Sequence, residues 1–223
     1  MHKTVVYCAD IGSVRTGRFA WASSRDRSSG ATMPSLVASV SRDLATGRPV
    51  ALGFECPLFV PLASEPEKLT TARCGEGNRS WSAGAGCGAL TTGMVQTAWL
   101  LSEIRKAAPK AKAFLDWEDF QRAKGGLFLW EAFVSGAGKR EGHQADARAA
   151  VNAFEKQSSN GLRTCIWCDG DVYSLIGAAL LRSGWSTDLR RLSAPCVVVS
   201  ASSLRRAGVA DAQKRSTGAA VAR

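Results

Sequence analysis

The stretch "VVYCADIGSVRTGRFAWAS", residues 5–23, predicts how the fold begins. Residues 5–7 form a short run of β-branched and aromatic side chains, which favours a buried strand. Gly12 ends the run and residues 18–23 have the pattern of a second strand, so we expect a β-hairpin whose loop is longer than two residues. Asp10 stands where the first strand ends. Asp is a poor strand residue and a buried charge must be paired or bound to metal, so Asp10 is either a turn residue or a ligand.

A second carboxylate follows another predicted strand in the stretch "RPVALGFECPLFVP". Residues 50–54 form a short buried strand that ends before Pro57, and Glu55 lies at its end. If the two strands are neighbours, Asp10 and Glu55 emerge at the same edge of the sheet, where they repel each other unless they share a cation. Mg²⁺ suits such oxygen ligands, and a third acid would complete a site able to hold two ions.

The remaining apolar patterns predict alternating helices and strands. Helices are expected over residues 33–47, 90–109, 140–161 and 169–184, with Asp169 or Asp171 as the N-cap of the last one. Further buried strands are expected within residues 125–136 and 194–201. This alternation indicates one α/β domain with a mixed sheet over residues 1–201, followed by a basic, flexible tail over residues 202–223.

The composition favours an anionic partner. Lys and Arg number 29 against 19 Asp and Glu, which gives a formal net charge of +10 and puts nucleic acid first among the partners. No apolar stretch is long enough to span a membrane, and the N-terminus has no signal-peptide pattern, so we expect a cytoplasmic protein. The seven cysteines are an odd number, which argues against a disulfide framework.

Five motifs in order resemble a group of uncharacterised predicted nucleases in the ribonuclease H-like superfamily. They are "ADIGS", "GFECPLFVP", "FLWEAFVSG", "GKREGHQADARAA" and "DVYSLIGAALL". The resemblance implies a ribonuclease H-like mixed sheet with an N-terminal β-hairpin and flanking helices. It also implies a nuclease that cleaves phosphodiester bonds with Mg²⁺ or Mn²⁺, with Asp10 and Glu55 as catalytic metal ligands.

The third acid of that site has three candidates. In the last predicted helix, Ser174 and Leu175 stand where the family has an Asp-Ala pair, and Asp171 lies one turn earlier. We favour Asp171 slightly as the third catalytic ligand, with Asp169 next. The rival is Asp146 in "HQADARAA", which resembles the Asp-Ala helix of junction resolvases. His143 shares a helix face with Asp146, although a surface helix position is the more common role of such a histidine.

Nucleic-acid contacts are expected near the proposed site. The long segment "CGEGNRSWSAGAGCG", residues 74–88, follows Glu55 and is either a flexible surface loop or a phosphate-binding loop. The candidate contacts are Arg73, Arg79, Trp81, Lys139 and Arg140.

Three other functions or sites stay open on the sequence alone. A non-catalytic nucleic-acid-binding module would keep the fold and the charge but lack a third acid at Asp10 and Glu55. An actin-like or sugar-kinase-type ATP-binding protein also opens with a "DIGS"-like loop, but needs a second domain. Finally, "CIWC", Cys165 to Cys168, could bind zinc together with Cys74 and Cys87, although these two lack CxxC spacing.

Overall fold

The computed structural model describes residues 3–134 and 141–201. It has an α/β architecture whose main sheet mixes parallel and antiparallel strands. The strands are β1 (Val5–Asp10), β2 (Ala20–Ser23), β3 (Ser29–Gly30), β4 (Pro49–Glu55), β5 (Phe59–Pro61), β6 (Ala113–Phe114), β7 (Gly126–Phe133), β8 (Val172–Ser174) and β9 (Val197–Ser200). The helices are α1 (Met33–Ala45), α2 (Gly84–Ala107), α3 (Trp117–Ala123), α4 (His143–Ser158) and α5 (Leu175–Arg182).

The main sheet has the strand order β3-β2-β1-β4-β7, with β6 beside the start of β7 and β9 beside its end. Strands β1, β2 and β3 pair antiparallel, as the hairpin pattern predicts, whereas β1, β4 and β7 run parallel. Parallel neighbours end at the same edge of a sheet. The register of β1 and β4 therefore sets Asp10 directly opposite Glu55.

Two apolar cores flank this sheet. On one face, α1, α2 and α5 bury side chains such as Leu36, Leu100 and Leu180 against the strands. On the other face, α3 and α4 bury Phe120 and Phe154 against Trp130 and its neighbours. Successive strand residues point to opposite faces, so a central sheet covered on both sides needs nearly continuous apolar strands. The burial of every residue of β1 fits that requirement.

Helix α2 approaches the end of β4 at a glycine. A Cβ atom at Gly93 would lie 2.4 Å from the Cys56 sulfur, so any larger residue would push the helix away from the strand. The helix itself begins at Gly84, six residues before the predicted start at Leu90. Its first turn comes from the glycine-rich segment that the sequence pattern assigns to a loop, because glycine has a low helix propensity.

The segment around Asp171 also differs from the prediction. Residues 172–174 form β8, which pairs antiparallel with β5, so the expected helix over 169–184 starts only at Leu175. Its N-cap is neither Asp169 nor Asp171 but Ser174, whose side chain accepts a hydrogen bond from the Gly177 amide at 3.0 Å. Over residues 3–134 and 141–201, no helix has both the length and the apolar character that crossing a bilayer requires. The predicted tail, residues 202–223, lies outside the described residues.

Candidate metal centre

Three carboxylates meet where β1 and β4 end. Asp10 and Glu55 are the last residues of those strands, and Asp146 reaches them from the first turn of α4. One side-chain oxygen from each residue lies within 4.8 Å of the other two. Asp10 and Asp146 are buried and Glu55 is partly buried. The adjacency of Asp10 and Glu55 is the arrangement that the sequence predicts.

The third acid is Asp146, and the slight preference for Asp171 is corrected. Asp171 is exposed and immediately precedes β8, where its carbonyl accepts a hydrogen bond from the Leu62 amide at 2.8 Å. Asp169 also lies away from Asp10 and Glu55, since its carboxylate accepts hydrogen bonds from the Cys74 thiol and from the Trp167 indole. The pairing of β8 with β5 removes both residues from the helix that was expected to carry them to the site.

His143 also belongs to the site. The sequence places it on the helix face of Asp146 but does not indicate a role for it. Its Nδ1 lies 2.7 Å from Oδ2 of Asp10, and its side chain is 44% exposed. Position 143 is one turn before Asp146 on α4, so the same helix supplies both groups. The i, i+3 spacing of His143 and Asp146 in the sequence shows that they share a helix face. Only the packing of α4 against β1 brings this face next to the Asp10 carboxylate.

The electrostatic effect of the acids extends into the core beneath them. Burial raises the pKa of the Cys8 thiol well above its ordinary value, and the charges of Glu55 and Asp10 raise it further. Like charges this close repel each other, and a cation shared between the two carboxylates would relieve that repulsion.

A fourth acid, Glu131, lies near the end of β7 but is already paired with Arg73. The two Nη atoms of Arg73 are 2.8 Å and 2.6 Å from the two carboxylate oxygens of Glu131. Nε of Arg73 also donates to Glu76 at 2.9 Å, and the Leu58 amide donates to Glu131 at 2.9 Å. Arg73 thus holds the segment after β5 against the sheet and is the shared cation of Glu131 and Glu76.

The sequence predicts Arg73 as a nucleic-acid contact. Its position in the structure does not allow that contact. The residue is only 3% exposed. Burial alone would lower the pKa of its guanidinium, but the carboxylates of Glu131 and Glu76 outweigh that effect and raise the pKa further above its ordinary range. The charge is therefore fixed inside the protein, where it compensates two acids rather than an external phosphate.

Asp10 and Glu55 open into a cavity of about 720 Å³, which Asp146 does not line. Asp10, Glu55 and His143 line one part of it, while Arg79 and Trp81 line another. The Trp81 indole is anchored by a hydrogen bond to the Thr71 carbonyl at 2.9 Å. Arg79 and Trp81 thus face the same space as the acids. Lys139 and Arg140 lie outside the described residues.

The cysteines do not form a comparable cluster. Within residues 3–134 and 141–201, the one group of three potential metal ligands is the acidic one. Cys87 is exposed on α2, and the Cys74 thiol donates to Asp169 at 3.3 Å. The geometry of the described residues gives no support to zinc at "CIWC".

The chain matches no protein-family model, and comparisons with curated proteins and with solved structures find no similar one. The fold and the site are therefore interpreted from geometry and chemistry alone.

Proposed function

We propose that the chain is a divalent-metal-dependent nuclease of ribonuclease H-like fold that hydrolyses phosphodiester bonds of DNA or RNA. The observation that carries the proposal is the meeting of Asp10, Glu55 and Asp146, with one oxygen from each within 4.8 Å. The order of elements supports the fold: an antiparallel hairpin is followed by a helix, a parallel strand that ends in Glu and a late helix that carries Asp. The hairpin, the helix and the Glu-bearing strand come in the order in which the sequence motifs resemble the nuclease family, whereas Asp146 on α4 resembles the Asp-Ala helix of junction resolvases.

Asp10, Glu55 and Asp146 would hold Mg²⁺ or Mn²⁺. The donor set fits these ions, because hard divalent cations prefer carboxylate oxygens over nitrogen and sulfur ligands. Bound divalent ions supply an activated water and stabilise the charge that develops on the leaving oxygen of a phosphodiester.

Other residues of the site orient its acids and hold protons. When Nδ1 of His143 carries the ring proton, it donates to Oδ2 of Asp10 and fixes the direction of that carboxylate. In this tautomer Nε2 accepts a proton, and His143 lines the cavity beside Asp10. Arg73 pairs with Glu131 and Glu76 together, so it offsets part of the charge that this fourth acid would add near the cluster.

Nucleic acid is the substrate class that the surroundings of the acids favour. Arg79 and Arg18 line the cavity, and neither forms a salt bridge within the described residues. Trp81 offers an aromatic surface in the same cavity, and base stacking on such a ring is worth about 1–3 kcal/mol. The net charge of +10 favours association with a polyanion.

The competing function is a non-catalytic nucleic-acid-binding module of the same fold. On the sequence, that alternative depended on the lack of a third acid at Asp10 and Glu55. The position of Asp146 within the cluster supports the enzyme over the module.

The test compares cleavage by the wild type with cleavage by D10N, E55Q and D146N. Labelled single- and double-stranded DNA and RNA serve as substrates with Mg²⁺ or Mn²⁺. Each variant should lose activity by at least about 100-fold, since even residues that only orient metal ligands contribute 10–100-fold. D171N is the matched control, because it makes the same change outside the cluster and should cleave like the wild type.

Thermal melts with and without Mn²⁺ give a second readout. Wild type and D171N should be stabilised by Mn²⁺, whereas D10N and D146N should fold but gain little. Undiminished cleavage by folded D146N would refute the assignment. Absence of cleavage by the wild type on every substrate would favour the binding module.

A further inference from the structure

A second cavity, of about 700 Å³, lies apart from the carboxylates. Its walls come from the C-terminal part of α2, the segment 109–114, helix α3 and residues 185 and 191. Five of its lining residues are cationic: Arg105, Lys110, Lys112, Arg122 and Arg191. Asp119 is the one acid among the described residues that line it, and it is already paired with Arg122. Four cations therefore share this space without a carboxylate partner among the described residues.

Arg105 is held in a fixed orientation on one wall. Its guanidinium carbon lies 5.1 Å from the centre of the Trp185 ring, and Nη1 donates to the Ala111 carbonyl at 3.0 Å. The Trp185 indole is itself fixed by a hydrogen bond to the Leu101 carbonyl at 2.9 Å. A guanidinium has five N–H donors, so this arrangement leaves several available for a ligand. A side chain that is already ordered loses less entropy when it binds.

Arg191 adds a donor that lacks an acceptor. Its Nε is buried from solvent and has no hydrogen-bond partner among the described residues. A buried N–H without an acceptor is destabilising. Because Arg191 also lines the cavity, its guanidinium is the second one, after that of Arg105, on the walls around an anion there. The side chains of Lys110 and Lys112 are exposed and line the cavity, where they add charge without a hydrogen bond or ion pair to the described residues.

The cavity is separate from the proposed catalytic site. Strand β6, at its edge, pairs with the first residues of β7, where Ala113 is opposite Leu127. The carboxylates are level with the end of β7, where Phe54 of β4 is opposite Glu131. Four residues of strand separate Leu127 from Glu131, which is about 13 Å at about 3.3 Å per residue. A ligand in the second cavity therefore does not contact the acids directly.

We propose that this cavity binds phosphate groups. Arginine forks match the geometry of phosphate oxygens, and lysines add point charges that such a ligand neutralises. The phosphates come either from the backbone of a nucleic acid or from a free nucleotide. The proposal goes beyond the nuclease activity and does not depend on it.

The experiment measures binding of three probes in EDTA, so that the acidic cluster carries no metal. The probes are inorganic phosphate, ATP and a labelled single-stranded oligonucleotide, each titrated against the full chain over a range of salt concentrations. The test variants are K110Q/K112Q and R191K. The control, K68Q/K156Q, makes the same change in net charge at exposed lysines outside the cavity.

The expected result is weaker binding by both test variants and near wild-type binding by the control. For the oligonucleotide, K110Q/K112Q should reduce the log–log salt slope by about 1.4, which corresponds to two lost phosphate contacts. R191K keeps the charge but replaces the guanidinium fork by a single ammonium, and should weaken binding about tenfold.

The probes also distinguish the two sources of phosphate. Binding of ATP or inorganic phosphate that K110Q/K112Q abolishes assigns the cavity to free phosphate compounds. An effect of the variants on the oligonucleotide alone assigns it to the nucleic-acid backbone. Equal binding by K110Q/K112Q and its control, or no binding of any probe by the wild type, would overturn the proposal.

Discussion

Replacing Arg73 with Met should destabilise the protein more than any surface substitution. The change removes one buried cation and leaves Glu76 and Glu131 at 3% and 1% exposure without their main counter-charge. Removal of one partner from a buried ion pair costs about 3–5 kcal/mol, and the loss of a cation shared by two acids should fall at the upper end. For a protein of this size each kcal/mol lowers the Tm by about 2–4 °C, so the Tm of R73M should fall by about 6–20 °C.

A double-mutant cycle with E131Q tests the physical cause. In the wild type, E131Q should destabilise, because it weakens the pairing of Arg73. In the R73M background, the same change should stabilise the protein by about 1–3 kcal/mol, because it removes one of the two uncompensated acids. The measurements are urea denaturation and thermal melts of all four proteins, with R190M as a control for loss of an exposed ion pair with Asp188.

The control R190M should leave the Tm unchanged within error, since the side chains of Arg190 and Asp188 are both exposed to solvent. If E131Q destabilises by the same amount in both backgrounds, the pair is not coupled and the reasoning is wrong. A small loss for R73M, similar to that of R190M, would equally contradict it.

Two further predictions concern stability. Burial raises the pKa of Cys165 to about 12 and that of Cys196 well above its usual value, whereas both titrate near pH 8.5 when unfolded. The folded protein then binds more protons than the unfolded chain above about pH 8.5, so each thiol should lower the free energy of unfolding by about 1.4 kcal/mol per pH unit there. Urea denaturation should show this decline, and C165S/C196S should make it less steep, with Cys8 and Cys56 supplying the remaining slope; a flat wild-type curve would contradict the prediction. In G53A, the new Cβ would lie 2.3 Å from the Trp130 ring, which should cost about 1–3 kcal/mol or more. G88A, whose Cβ meets nothing within 4 Å inside α2, should instead stabilise by up to about 1 kcal/mol, and equal melting temperatures for the two would be inconsistent with this packing.

The sequence by itself predicted the features that depend on local pattern. Residues 5–7 and 50–54 are short apolar runs. Each is followed by an acid, Asp10 after the first run and Glu55 after the second. Because side chains in a strand are fixed by backbone geometry, two such runs that become parallel neighbours must carry Asp10 and Glu55 to the same edge. The helix over 140–161 was also predictable, because this segment is rich in Ala and is closed by Asn160 and Gly161, and the structure has α4 over His143–Ser158.

Only the tertiary structure decided which third acid joins them and what Arg73 does. Asp146 and Asp171 both precede apolar helical patterns, and the choice between them depends on β8, a strand of three residues that exists because it pairs with β5. Arg73 looks like a surface cation in a polar loop, but Glu131 is 58 residues away in sequence and only folding brings the two together. Propensity and periodicity act over a few residues, whereas a buried charge is stable only beside a partner that distant packing supplies.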